Sequence, residues 1–250
     1  MLSVLTDLSS LKNFKFFYLI NDIKNYYFSN LNFIFRNKKK IQFITVPRTG
    51  CTLCINLFDK FRLNIDWNNH YVKPKYHTNN NYIISIRNPI DRFISAFYYD
   101  KNGKQTNYHK NFFTLYPEVD DLVKNINKSQ ATKYIRLSHH LNEGLSSFFK
   151  IKHIKKTPPL YIFEFSSLHK DIHSFLRVFD IFDKKEINNF LSKDFGSSSN
   201  KKKLSISSEN KLKLFLSEDF KVYNYLIKKK FKINSNFNLL NHKKDYTKSI

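Results

Sequence analysis

The chain has 250 residues, with 43 Lys and Arg against 20 Asp and Glu, a formal net charge of +23. Its 41% apolar and 17% aromatic content is too high for a disordered chain, and 4 Gly and 6 Pro exclude collagen-like and low-complexity architectures. Two Cys cannot by themselves supply a disulfide scaffold or a four-ligand zinc site.

The length fits one α/β domain with a full core, at most with an appendage. No stretch approaches the roughly 20 apolar residues of a membrane span, so the expectation is a soluble domain, cytoplasmic by default. Lys, Asn, Ile, Phe and Tyr saturate the sequence, as A+T-rich codons would make them. The positive charge therefore permits an anionic partner without specifying nucleic acid.

In chain order, residues 1–38 are expected to form an N-terminal helical segment. Phe16, Ile20, Ile23, Tyr27, Leu31 and Ile34 recur at steps of three and four, one face of an amphipathic helix. Packing against the domain is the simpler reading. The aromatic stripe and the basic run at 36–40 (RNKKK) also suit peripheral membrane contact through residues 11–40. Acidic and polar residues interrupt what would be the apolar core of a signal peptide.

Residues 39–235 are expected to form the main domain. A buried strand is predicted over 41–46 (IQFITV), a loop over 47–52, and a helix over 52–61 with Leu53, Leu57 and Phe61 on one side. A second buried strand spans 82–86 (YIISI), followed by a helix over 91–99. After Pro158 and Pro159 a third strand covers 160–163, and the next helix runs through Leu168, Phe175 and Phe179. A last helix is predicted over 207–229, capped by Ser207 or Ser208. Residues 236–250 read as a loose polar tail. Strand, loop and helix alternating in this way predict a three-layer α/β fold, a central parallel β-sheet flanked by helices.

Two loops carry chemistry. In Val46-Pro47-Arg48-Thr49-Gly50-Cys51-Thr52 a strand enters a tight turn that opens a helix. Helix-start amides and the helix dipole favour an anion there. Gly50 allows close backbone approach, the Thr49 and Thr52 hydroxyls can donate to phosphate oxygens, and Arg48 can sit on the oxygens of the ligand. The loop lacks the first Gly and the Lys-Ser/Thr pair of the nucleoside-triphosphatase loop. In the second segment, YIISIRNPIDRFISAFYY (82–99), Arg87 leaves a strand, Pro89 starts the turn, and Arg92 and Ser95 share a helix face. An Arg at a strand's carboxyl end and a Ser on the next helix can bind a second, separate phosphate, at the edge where parallel sheets take ligands.

Together the two segments resemble the phosphosulfate-binding elements of the sulfotransferases that use 3′-phosphoadenosine-5′-phosphosulfate (PAPS). The family's 5′ element, P-[KR]-[ST]-G-[CST]-[ST], is matched by Pro47, Arg48, Thr49, Gly50, Cys51 and Thr52. Its 3′ element, R-[DN]-P-x-x-R-x-x-S-x-[YF], is matched by Arg87, Asn88, Pro89, Arg92, Ser95 and Phe97. The form V-P-[KR]-T-G-C-T is most similar to the Golgi-type carbohydrate sulfotransferases. Residues 161–168 (YIFEFSSL) are similar to the family's E-D-L strand and helix. Residues 197–226 resemble its basic nucleotide-closing loop, with Lys202 among Lys201 to Lys203, and its final helix.

The resemblance implies a P-loop NTPase-like sulfotransferase fold and transfer of a sulfuryl group from PAPS, leaving 3′,5′-ADP (PAP). The acceptor would be a hydroxyl, of a carbohydrate by preference. No metal is required, because protein cations supply the charge. Arg48, Thr49, Gly50, Cys51 and Thr52 would take the 5′-phosphate, Arg87 and Ser95 the 3′-phosphate. The general base falls between the two elements, His77 first, then His70, then Asp66. Arg48 replaces the commoner Lys, Asn88 the usual Asp at the expected cost of a structural hydrogen bond, and Leu53 a Ser or Trp.

Other features have plainer readings. Cys51 and Cys54 have redox-pair spacing but straddle the phosphate loop, as a small loop residue and a core residue. His139, His140 and Glu143 could ligate metal, yet adjacent helix positions diverge, which assigns them to an acceptor groove or the surface. The rival functions are a nucleotide kinase built on the same strand–loop–helix device, and a non-enzymatic basic module binding nucleic acid or glycan.

Overall fold

Four short strands, three of them rich in β-branched and aromatic residues, lie side by side: β1 (Ile41–Ile44), β2 (Ile65–Trp67), β3 (Tyr82–Ile86) and β4 (Tyr161–Glu164). In this computed structural model the residues described are 41–67, 81–103, 107–179, 181, 183–193 and 204–240. The strands run parallel in the order β2-β1-β3-β4. The predicted segment 1–38 and residues 241–250 of the predicted tail lie outside the described residues.

Side chains alternate across the sheet, and both faces are covered. Ile41, Phe43, Ile83, Tyr161 and Phe163 pack with α1 (Cys51–Lys60), α9 (Leu168–Arg177) and α10 (Lys184–Leu191). Ile44, Tyr82, Ile84, Ile86 and Ile162 face the other way. They pack on α7 (Leu145–Phe148), α8 (Ile151–Lys156) and the first half of α12 (Ser217–Leu240). The fold is α/β, with a four-stranded parallel sheet between helices. A third apolar cluster is built from helices and the turns between them, without a strand. In it Phe93 and Phe97 of α2 (Pro89–Asn102) pack with α3 (Asn107–Leu115), α4 (Val119–Lys124), α5 (Ser129–Leu137) and α11 (Ile206–Phe215). Among the described residues no helix is long and apolar enough to cross a membrane.

Several expectations are corrected. β2 was not predicted: three residues with an Asp at the centre carry no strand pattern, and backbone pairing with β1 makes the strand. The single last helix is two, α11 and α12, meeting at Leu216. The cap of α11 is Ser205, whose Oγ accepts from the Ser208 amide, rather than Ser207 or Ser208. α12 passes residue 229 and continues to Leu240, so residues 236–240 are not a loose tail. Phe237 explains the extension, stacked on Phe175 at 5.6 Å and edge-on to Tyr161 at 5.5 Å.

A charged clasp fastens α12 to the end of β4. Lys230 Nζ lies 2.7 Å from Asp171 and 3.1 Å from Glu164, and it donates to Ser167. Burial alone would raise the Glu164 carboxyl, but hydrogen bonds from Ser166, Lys230 and Tyr223 and the charge of Lys230 hold it below its ordinary range. Such a carboxylate adds stability above its unfolded-state pKa and loses it as pH falls through the lower folded value. Lys230→Met strips the cation from two carboxylates and should cost about 2 kcal/mol at pH 7, less than breaking a fully buried pair. In chemical denaturation the gap between the two proteins should narrow as pH drops below about 4, where Glu164 protonates. A gap constant with pH would assign the loss to packing instead.

Candidate functional site

β1 and β3 are neighbours, with Ile44 opposite Ile84, so the loops that leave their carboxyl ends emerge together. The first loop turns sharply because Arg48 (φ 65°) and Gly50 (φ 91°) both occupy the left-handed region. For a residue with a Cβ that conformation costs roughly 1–2 kcal/mol, so the surroundings must hold Arg48 there. Thr49 is the wedge. Fully buried, it donates Oγ1 to the Val46 carbonyl at 2.8 Å and accepts from Ser85 on β3 at 2.7 Å. Cys51 Sγ donates to the same carbonyl at 3.0 Å. The Thr49 proton is thus spent inside the loop, and this side chain shapes the cradle from behind.

Gly50 is the residue before α1, and no side chain caps that helix start. A Cβ on Gly50 would stand 3.0 Å from Leu168 and 3.2 Å from Phe165, both on the segment that follows β4. The amides of the first turn of α1 therefore open beside a bare backbone, with Thr52 exposed on that turn. The start of α2 contrasts with it. There Asn88 Oδ1 accepts from the amides of Ile90 (3.0 Å) and Asp91 (3.5 Å), so Asn in place of Asp still caps this helix.

Two arginines stand at these loops, Arg87 reaching the backbone of Arg48. Arg48 Nε donates to Ser95 Oγ at 3.2 Å, and its plane lies 4.3 Å over the ring of Tyr99. Ser95 accepts that bond and keeps its own proton for another acceptor. Arg87 Nη1 donates to the carbonyl of Arg48 at 3.3 Å, and its plane lies 4.0 Å over Phe165. The Nε of Arg87 is buried without a hydrogen-bond partner among the described residues. Burial, with the like charges of Arg48 and Arg92, pushes Arg87 down to about 10 against the pull of Asp91. Burial likewise lowers Arg48, opposed by Tyr99 and Asp100. Both cations are partly stripped of water and incompletely neutralised, an arrangement suited to a multivalent anion.

Not every motif residue joins them. Arg92, the third arginine, turns away: only 1% exposed, it donates to the carbonyls of His140 (2.6 Å) and Leu141 (3.2 Å) and lies 4.0 Å from Asp219. Its role is to hold α6 (His139–Asn142) against α2. Asp66 lies on β2, opposite Gln42. His70, His77 and Lys202 fall outside the described residues. Burial raises both thiols, that of Cys54 well above its ordinary value, which removes the thiolate character a redox pair needs.

Tyr99, Phe165 and Asp100 were not anticipated. Tyr99 follows Ser95 by four residues, a spacing that puts both on one helix face, so that signal was present. Phe165 reaches Arg87 only through the pairing of β3 with β4, which no local pattern announces. Compared with known proteins, the chain matches no family model, no curated protein and no solved structure.

The cradle depends on Gly50. Gly50→Ala adds a Cβ at a positive φ and against Leu168, which should destabilise the fold by about 1–3 kcal/mol. Thermal unfolding should show it as a midpoint several degrees lower, whereas an unchanged midpoint would mean the loop relaxes without strain.

Proposed function

We propose that the chain is a sulfotransferase that moves a sulfuryl group from PAPS to an acceptor hydroxyl, with a carbohydrate hydroxyl as the acceptor class. The fold would be the P-loop NTPase-like sulfotransferase form of the α/β architecture. The observation that carries the reading is the meeting of Arg48 with Arg87 and Ser95. The family's two phosphate elements lie about forty residues apart in the chain, yet Arg48 Nε donates to the Ser95 hydroxyl and Arg87 Nη1 donates to the backbone carbonyl of Arg48.

In this reading Arg48 and the amides at the start of α1 take the 5′-phosphate and the sulfuryl oxygens, while Arg87 and the Ser95 hydroxyl take the 3′-phosphate. The acceptor oxygen bonds to sulfur as the bond from sulfur to the 5′-phosphate oxygen breaks. The electron pair goes to that phosphate, 3′,5′-ADP leaves, and the hydroxyl proton passes to a base. Charge grows on the leaving phosphate, so fixed cations and amides lower the barrier without moving. Lys202 would close over the nucleotide.

The 3′-phosphate separates this reading from a kinase. A thermal-shift titration with 3′,5′-ADP, 5′-ADP and Mg·ATP reads which nucleotide the native state binds. The expected outcome is a clear rise with 3′,5′-ADP, a smaller one with 5′-ADP, and loss of the first in Arg87→Ala. A response to Mg·ATP alone would overturn the reading in favour of a kinase. No response to any of the three would leave the basic binding module in its place.

A further inference from the structure

We infer that Phe165 is a positioning residue that sets the preference of the site for a 3′-phosphate, its ring seating the Arg87 guanidinium beside the Gly50 cradle. The inference rests on the sulfotransferase reading above. The sheet builds the seat. Ile86 of β3 pairs with Glu164 of β4, so the residues that follow them, Arg87 and Phe165, leave the same edge side by side. The guanidinium lies 4.0 Å over the centre of the ring. The ring also reaches the first loop, where its Cδ2 and Cε2 would stand 3.2 and 3.6 Å from a Cβ placed on Gly50. One aromatic ring thus borders both the cation assigned to the 3′-phosphate and the backbone assigned to the 5′-phosphate.

Neither a carboxylate nor an aliphatic chain could do the same. An aromatic face attracts a cation without neutralising it. It takes the flat side of the guanidinium and none of the N–H groups, which lie in the plane. Nη1 of Arg87 is engaged on the carbonyl of Arg48, and Nε is buried without a hydrogen-bond partner among the described residues. A carboxylate in place of the ring would occupy such donors and cancel the charge. A leucine would leave a partly desolvated cation with nothing to hold its plane, and the side chain would turn toward water.

The ring is itself held from behind. Phe165 opens a single tight helical turn, Phe165–Ser167. Before the turn, the Glu164 amide donates to Asp171 at 2.8 Å, and the Glu164 carboxylate accepts from Tyr223 and Lys230, each at 3.1 Å. At its end, Ser167 Oγ donates to Asp171 at 3.1 Å and accepts from Lys230 at 2.7 Å. Phe165 belongs to none of the three apolar clusters. Its place is therefore set by this backbone and by the two loops, and changing the ring spares the core.

Isothermal titration calorimetry on the full chain tests this with two probes, 3′,5′-ADP and 5′-AMP, which lacks only the 3′-phosphate. Phe165→Leu and Phe165→Met keep apolar bulk beside Gly50 and remove the aromatic face. In both, the Kd for 3′,5′-ADP should rise about five- to tenfold while that for 5′-AMP changes by less than about twofold. Phe165→Tyr keeps the face and should bind both nucleotides as the unaltered protein does. A ring that acts through Arg87 should also be silent without it. In an Arg87→Ala background, Phe165→Leu should leave the remaining affinity for 3′,5′-ADP unchanged.

Equal losses for the two nucleotides, no loss in Phe165→Leu and Phe165→Met, or as large a loss in Phe165→Tyr would overturn the role given to Phe165. A further loss in the Arg87→Ala background would do the same. Failure of both aliphatic variants to fold while Phe165→Tyr folds would assign the ring to stability and overturn it as well. In each case a preference of the unaltered protein for 3′,5′-ADP over 5′-AMP leaves the sulfotransferase reading standing. Absence of that preference in the unaltered protein would instead remove the reading itself and this inference with it.

Discussion

Two arginines held side by side constrain everything around them. Like charges repel, and burial raises the cost by removing the water that would screen them. The structure offsets this with groups that are dipolar or aromatic rather than fully anionic. Arg87 donates to the carbonyl of Arg48, Arg48 donates to Ser95, and each plane rests on a ring. Carboxylates stay close enough to be felt and too few to neutralise the pair, with Asp91 acting on Arg87 and Asp100 on Arg48. A carboxylate in direct contact would have completed a salt bridge and neutralised one of the two.

The sheet makes this possible because parallel neighbours deliver their carboxyl ends to one edge. β1 supplies Arg48, β3 supplies Arg87, and the segment after β4 supplies the ring beneath Arg87 and the side chains that crowd Gly50. The buried Thr49–Ser85 contact ties the first loop to β3. Stability and the candidate chemistry therefore share residues in this region. The clasp of Lys230 with Glu164 and Asp171 extends the coupling to α12, since Glu164 immediately precedes Phe165.

The legible parts of the sequence were those whose signal is local. The strands at 41, 82 and 161 announced themselves as short apolar runs, and Gly50 and Pro89 marked the turns that follow the first two. The region from 107 to 156 was opaque because its helices run from four to nine residues, too short for a period of 3.6 to stand out. Arg92 and Ser95, three apart, share a face by spacing alone; yet tertiary contacts send one into the α2–α6 contact and the other to Arg48. His140 illustrates the same limit. Its reading as groove or surface was reasonable for an isolated histidine, and only the packing of α6 on α2 brings Asp100 to its Nδ1.

Arg48 shows why the site and the stability of the fold pull in different directions. A glycine would adopt φ 65° without strain, and a neutral residue would avoid the desolvation that lowers this guanidinium. Neither could donate to Ser95 while lying over Tyr99, two residues one turn apart in the body of α2. A lysine could supply the charge but not a planar group that lies flat on a ring while one edge donates to a hydroxyl. The strained backbone and the fork therefore belong to one solution. The turn aims the cation, the tyrosine fixes its plane, and the same ring sets the histidine beside it. Substituting any one of the three should disturb the other two more than it disturbs the sheet, whose core on both faces is built from different residues.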